Sequence, residues 1–191
     1  MSFDYGQKHN KELNYASMTC AKLNIDHKIV ELKNLKNIMY SSLTTDDKIP
    51  EGHYTDETMK KTVVPNRNMV MISIAVSYAI TIGATSVFYA AHSGDHTIYP
   101  DCRPEFIDAL NKAIQICDWH RIELRAPYSK LDKSNIIMIG KQLDVDYSLT
   151  WTCYNGRDKA CGKCGSCVER LEAFKKAGMK DPIQYEDDIC L

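Results

Sequence analysis

Blocks of helical and strand period follow one another along most of the chain. Residues 9–23 place Leu13, Ala16, Cys20 and Leu23 on one face at helical spacing, which predicts an amphipathic helix. "SFDYG" before it reads as a strand end running into a loop, and "HKIVEL" after it as a short β-branched strand. Residues 33–61 are polar and weakly periodic, and they predict a partly helical connection or flap. "RNMVMISIAVSYAITIGA" is apolar almost all round, which predicts a buried helix over residues 67–84 closed by Gly83. "TSVFYAA" follows as a buried strand. "RPEFIDALNKAIQIC" carries Pro104 in its first turn, where a missing N–H costs nothing. Its Phe106, Leu110, Ala113, Ile114 and Cys117 form a helical stripe. "RIELR" alternates as a strand does, and "DKSNIIMIGKQL" has capping residues ahead of an apolar face. Strand and helix therefore alternate, which predicts an α/β fold with a mostly parallel sheet.

Length and charge narrow the function classes. A chain of 191 residues suits a single domain over residues 1–191 with a substantial core. A formal net charge of −1 predicts no electrostatic grip on nucleic acid or membrane. No apolar run approaches a transmembrane length, and "MSFDYGQKHN" lacks the basic and apolar parts of a signal peptide. The expected location is cytoplasmic, and in a reducing compartment clustered cysteines more often bind metal than form disulfides.

Four of the eight cysteines fall within "CYNGRDKACGKCGSC", at the spacing C-x7-C-x2-C-x2-C. The turn within a C-x2-C pair lets both thiolates face one ion. Cys153, Cys161, Cys164 and Cys167 then offer four sulfurs with no open position, the donor set of a structural zinc site. Gly162 and Gly165 each follow a cysteine and would let the backbone wrap the metal at positive φ. The same triplet spacing occurs in iron–sulfur proteins, so a [4Fe–4S] cluster is an alternative, as are disulfides or free thiols. The zinc-binding segment is expected over residues 150–178. Cys20 and Cys117, on apolar helix faces, read as small core residues.

Three further stretches are dense in residues that packing alone does not call for: "TVVPNRN", "HSGDHTIYPDCRPEF" and "TWTCYNG". The first puts Arg67 and Asn68 at a helix start, where N–H groups and a guanidinium can hold an anion. The second follows a predicted strand, and loops at the carboxyl ends of strands are where open α/β sheets bind ligands. Taken together, "SFDYGQKH", "VPNRN", "HSGDHTIYPDCRPEF", "TWTCYNGRDKACGKCGSCVERLEAF" and "DPIQYE" closely resemble the 7-cyano-7-deazaguanine synthase family over nearly the whole chain.

The resemblance implies a Rossmann-like, adenine-nucleotide α-hydrolase fold and a structural zinc at Cys153, Cys161, Cys164 and Cys167. It implies a ligase in 7-deazapurine and queuosine biosynthesis that uses ATP and ammonia to turn 7-carboxy-7-deazaguanine into the nitrile. Residue chemistry then makes Arg67 and Asn68 candidates for nucleotide contact. His92, Asp95, Asp101 and Arg103 are candidates for the deazaguanine end, with Tyr99 able to stack on the ring. Family members are expected to open with a strand, a glycine-rich S-G-G-x-D-S loop that nests phosphates, and a helix. This sequence opens after that point, so the isolated chain is expected to be inactive. It is expected to associate with a complementing N-terminal fragment or a second copy. The alternative is a non-catalytic, zinc-stabilised homologue that binds a deazapurine or a partner, or one half of a split enzyme. A tRNA thiolase is disfavoured by "YPDCRPEF" and by the lack of a basic surface.

Overall fold

The computed structural model describes residues 1–53, 55–95 and 99–186. The fold is mixed α/β with small parallel sheets, and the chain forms two compact units, Met1–Pro65 with Ile137–Leu191, and Asn66–Ile136.

In the first unit β1 (Ser2–Asp4) pairs in parallel with β2 (Ile29–Glu31), with Phe3 opposite Val30. The crossover is α1 (Lys11–Lys22). Leu13 of α1 is buried, whereas Leu23, expected on the same face, is exposed just past the helix end. A short 3₁₀ turn, Lys33–Asn37, and α2 (Asp56–Thr62) occupy the polar stretch read as a flap. The unit also holds the end of the chain, with α5 (Lys133–Gln142) straddling the unit boundary and α6 (Gly165–Lys176). Asp132 caps α5 as its sequence implies, its Oδ1 accepting from Asn135 N at 2.8 Å and from Ser134 Oγ at 2.6 Å. Ile137 of α5 packs with Ala173 and Phe174 of α6, and Tyr147 meets Phe174 edge-on.

In the second unit β3 (Ser86–Phe88) pairs in parallel with β4 (Glu123–Arg125), joined through α4 (Pro104–Ile114). Its core takes Ile72, Val76 and Ala79 from α3 (Arg67–Thr81), and Ile107, Leu110 and Ile114 from α4. Ala91, Cys102, Ile122 and Leu124 complete it, and Ile122 and Leu124 alternate with exposed Glu123 as the strand period predicts. Gly83 sits at φ +69 and ends α3, with Ala84 N bonding Ala79 O at 2.9 Å.

α3 buries one face only: Met69 is exposed, and Ser73, Ser77 and Thr81 fold their hydroxyls onto carbonyls one turn back. The β3 strand is not buried on both faces, since Phe88 is exposed beneath the Arg125 guanidinium. In α4 the buried stripe is Ile107, Leu110 and Ile114, with Phe106 only partly buried and Ala113 exposed. Cys117 lies beyond the helix end and is exposed, so it is no core residue. Cys190 falls outside the described residues.

The stretch Lys60–Thr81 contains an 18-residue window of mean hydropathy 1.2, the nearest approach to a membrane span among the described residues. It is broken between Thr62 and Arg67, and α3 alone has 15 residues. At about 1.5 Å per residue it falls short of a hydrocarbon core about 30 Å thick.

Candidate metal centre and ligand-binding segments

The loop before α6 carries three of the four cysteines, and the helix itself brings in Cys167. Gly162 has φ +69, as wrapping requires, whereas Gly165 is the first residue of α6 rather than a left-handed turn. The Sγ atoms of Cys153, Cys161, Cys164 and Cys167 all lie within 4.8 Å of one another, and Cys161 and Cys167 stand 3.9 Å apart. A tetrahedron with Zn–S bonds of about 2.3 Å has edges of about 3.8 Å. All four residues are buried, so they form a closed site that fits one metal ion such as zinc.

The backbone prepares these sulfurs for negative charge. Cys153 Sγ accepts from Asn155 N at 3.4 Å and Cys161 N at 3.3 Å. Cys161 Sγ accepts from Lys163 N at 3.4 Å and Cys164 N at 3.3 Å. Ionisation is favoured at Cys161, which accepts from Cys153, Cys164 and Cys167. It is disfavoured at Cys167, which is crowded by the sulfurs of Cys153, Cys161 and Cys164. A divalent cation removes that division, because every ligand is then held as thiolate.

Three segments are fastened to this loop. Gly52 N donates to Lys163 O at 2.7 Å, and Glu51 bridges to Cys164, so residues 49–53 are pinned to the cysteine turn. Ala160 exchanges backbone bonds of 2.9 Å with Gln184 and Glu186. Lys11 Nζ donates to Arg157 O and Asp158 O and stands 4.1 Å above the Trp151 ring, which also packs against Tyr15. Gly156 has φ +53, and a Cβ there would fall 2.3 Å from His9 Nδ1.

Arg170 and Asp181 are a buried pair that the residue pattern did not single out. Arg170 Nε donates to Asp181 Oδ2 at 2.6 Å and Nη2 to Oδ1 at 2.9 Å. Nη1 reaches Thr150 Oγ1 at 2.8 Å, and the Tyr185 hydroxyl donates to Asp181 Oδ2 at 2.7 Å. "DPIQYE" thus serves here to lock the chain end onto α6. An arginine three residues after a ligand cysteine, on the same helix face, was the available signal.

In the second unit, Arg67 is the first residue of α3, after Asn66 in the left-handed region at φ +56. Arg67 Nε donates to Asn68 Oδ1 at 3.3 Å, and Asn68 Nδ2 reaches Cys102 Sγ at 3.9 Å. Buried His92 pairs through Nε2 with Asp95 Oδ2 at 3.3 Å. Asp101 belongs to the 3₁₀ turn Pro100–Cys102, and exposed Arg103 caps α4 through its carbonyl. Tyr99 precedes that turn, its N–H bonded to Asp95 O at 2.8 Å. His96, Thr97 and Ile98 of the same motif lie outside the described residues. Tyr89, at the end of β3, donates to Asp101 O at 3.2 Å and lies 3.2 Å from Cys102 Sγ. Burial, chiefly, pushes both of these groups toward their protonated forms, Cys102 up to about 11. Neither was a candidate from residue type alone.

Residues 1–178 match the family model described as Queuosine biosynthesis protein QueC. The chain belongs to the QueC family. It is 56% identical over 190 residues to the 7-cyano-7-deazaguanine synthase of Caldicellulosiruptor saccharolyticus, covering 99% of this chain and 84% of that protein. Identity to the 7-cyano-7-deazaguanine synthase of Methanoregula boonei is 57% over 187 residues, covering 97% and 86%. For 7-cyano-7-deazaguanine synthase 1 of Colwellia psychrerythraea it is 54%, with the same coverage. Within the QueC family match lie all four clustered cysteines, both residues at the start of α3, and the turn around Asp101.

Proposed function

We propose that this chain is a 7-cyano-7-deazaguanine synthase, a nitrile-forming ligase that acts on 7-carboxy-7-deazaguanine with ammonia and ATP. The observation that carries the reading is identity of more than half to synthases over 97–99% of the chain. In the proposed reaction ATP adenylates the substrate carboxylate, and ammonia displaces AMP to leave an amide. A second ATP activates the amide oxygen, and loss of AMP leaves the nitrile. Such chemistry asks for cations and N–H donors around phosphate more than for a strong nucleophile.

Arg67 and Asn68, at the positive end of α3, suit the nucleotide. His92, Asp95, Tyr99, Asp101 and Arg103 supply acceptors, a ring face and a cation for the deazaguanine. Zinc is the metal proposed for the four cysteines, where it holds structure and takes no part in the reaction. A cytoplasmic location is proposed, since a reducing compartment leaves such clustered thiols available for a metal. Ammonia and the deazapurine are the small-molecule partners, with no nucleic acid or membrane among the partners. The cysteine turn is the only glycine-dense stretch of the sequence, and its sulfurs face one another. A complementing N-terminal segment bearing S-G-G-x-D-S, supplied in cis or in trans, is the proposed holder of ATP's phosphates, and a second copy is the other proposed partner.

The test supplies that segment and measures AMP release and nitrile formation. Substrate-dependent AMP release and a nitrile product are expected. Their absence, with zinc bound and the segment present, sinks the ligase reading in favour of a non-catalytic deazapurine-binding domain. Arg67→Ala should weaken ATP use by about tenfold or more, as loss of a charge-assisted contact implies, with Tm nearly unchanged.

A further inference from the structure

Half-buried groups around the buried Cys102 form a directed chain of hydrogen bonds that no functional assignment has used. Arg67 Nε donates to Asn68 Oδ1, and Asn68 Nδ2 donates onward to Cys102 Sγ. The Tyr89 hydroxyl has one proton, and Asp101 O, which can only accept, takes it at 3.2 Å. Both contacts of the Tyr89 hydroxyl are satisfied together only when the thiol proton fills the 3.2 Å contact between Cys102 Sγ and Tyr89 Oη. The sequence of donors is Arg67, Asn68, Cys102, Tyr89, ending on the Asp101 carbonyl. Every bond of this chain runs in the same direction, and the chain works only with a protonated thiol and a neutral phenol. Burial holds both groups in those forms.

The chain of bonds joins two segments that stand far apart in sequence. Asn68 is in the first turn of α3, and Cys102 closes the 3₁₀ turn carrying Asp101. With its amide oxygen facing Arg67 and its amide nitrogen facing sulfur, Asn68 has one orientation that satisfies both. We infer that Tyr89 and Cys102 are positioning residues that fix Asn68 and the Asp101 turn as one rigid arrangement. This rests on the reading of Arg67 and Asn68 as nucleotide contacts. Neither Tyr89 nor Cys102 touches substrate in this account, and the thiol is no nucleophile: it is buried, protonated and already donating.

Two readouts test the inference on the full zinc-loaded chain. The first is the infrared S–H stretch of Cys102, identified by its loss in Cys102→Ala. In Tyr89→Phe the thiol loses its acceptor, so this band should move to higher wavenumber. An unmoved band overturns the inference whether or not the chain turns over. The second readout is turnover, with the complementing segment supplied. Cys102→Ala and Tyr89→Phe should raise KM for ATP by about two- to tenfold, as loss of one neutral hydrogen bond implies, with kcat less affected. Cys102→Ser, which can still donate and accept, should recover part of the loss. Ile107→Val thins the same core without touching the chain of bonds, so it should lower Tm and leave KM unchanged. Should Ile107→Val raise KM as Cys102→Ala does, the residues are merely structural and the inference fails. If Arg67→Ala leaves ATP use intact, the nucleotide assignment fails, and the infrared band still decides whether the chain of bonds exists.

Discussion

Removing the Asp181 carboxylate should be among the most damaging single changes in the chain. In Asp181→Ala the Arg170 guanidinium stays buried, its side chain only 5% exposed, and it loses both carboxylate oxygens. The Tyr185 hydroxyl and the Ile183 N–H lose their acceptor as well. Thr150 Oγ1 and Tyr147 O remain, too little to solvate a full charge. Breaking a buried pair from one side costs about 3–5 kcal/mol, against about 0–1 kcal/mol for a surface pair. In a chain of this size each kcal/mol lowers Tm by about 2–4 °C, so a fall of about 6–20 °C is expected. Urea unfolding of the zinc-loaded protein, followed by Trp151 fluorescence, measures the cost directly. Arg170→Met combined with Asp181→Leu removes both charges and should recover at least half of the loss, because no ion is left stranded. A loss below about 1 kcal/mol for Asp181→Ala, or a double variant no better than the single, refutes the reasoning. The pair would then be solvated, and the chain end would be held by something else.

The purified protein should carry about one zinc per chain and be colourless; iron with visible absorbance would favour a cluster instead. Chelation or Cys164→Ser should raise hydrogen exchange at residues 49–53 and 184–186 first, since both are bonded to the cysteine loop. Gly156→Ala should destabilise through both the left-handed backbone and the clash with His9, and His9→Ala should relieve only the clash, as thermal melts of the single and double variants would show. Burial, then the charges of Lys8 and Arg157, hold the His9 imidazole below its ordinary value. Its contribution to stability is therefore complete above about pH 6.5 and is lost as pH falls toward the folded value. The slope of stability against pH just below 6.5 should flatten in His9→Asn, and an unchanged slope would assign the dependence elsewhere.

Local pattern was enough wherever a signal lies within one or two turns of chain. The spacing of Cys153, Cys161, Cys164 and Cys167 announced a metal centre because short turns leave thiols little choice of direction, and the four sulfurs do converge. Gly83, Asp132 and the Ile122–Leu124 alternation were legible for the same reason: caps and strand periods are set by neighbours in sequence. Boundaries were read too long, as at α3 and β3, because an apolar residue continues a pattern whether or not anything covers it. Cys117 shows the limit plainly: it continues the spacing of the α4 stripe, and the helix has ended before it.

What tertiary structure alone decided are the meetings between distant residues. Arg170 looks like a solvated helix residue until Asp181 arrives to neutralise it, and Cys102 looks like filler until Tyr89 and Asn68 close around it. A hydrogen bond or ion pair is worth making only when both groups leave water together. Whether they do depends on packing that no single stretch of chain contains. The sequence by itself determined the elements and the convergence of the four cysteines. The buried pairs that hold those elements in register came from the fold, since burial turns an ordinary charge or thiol into a group that must find its partner.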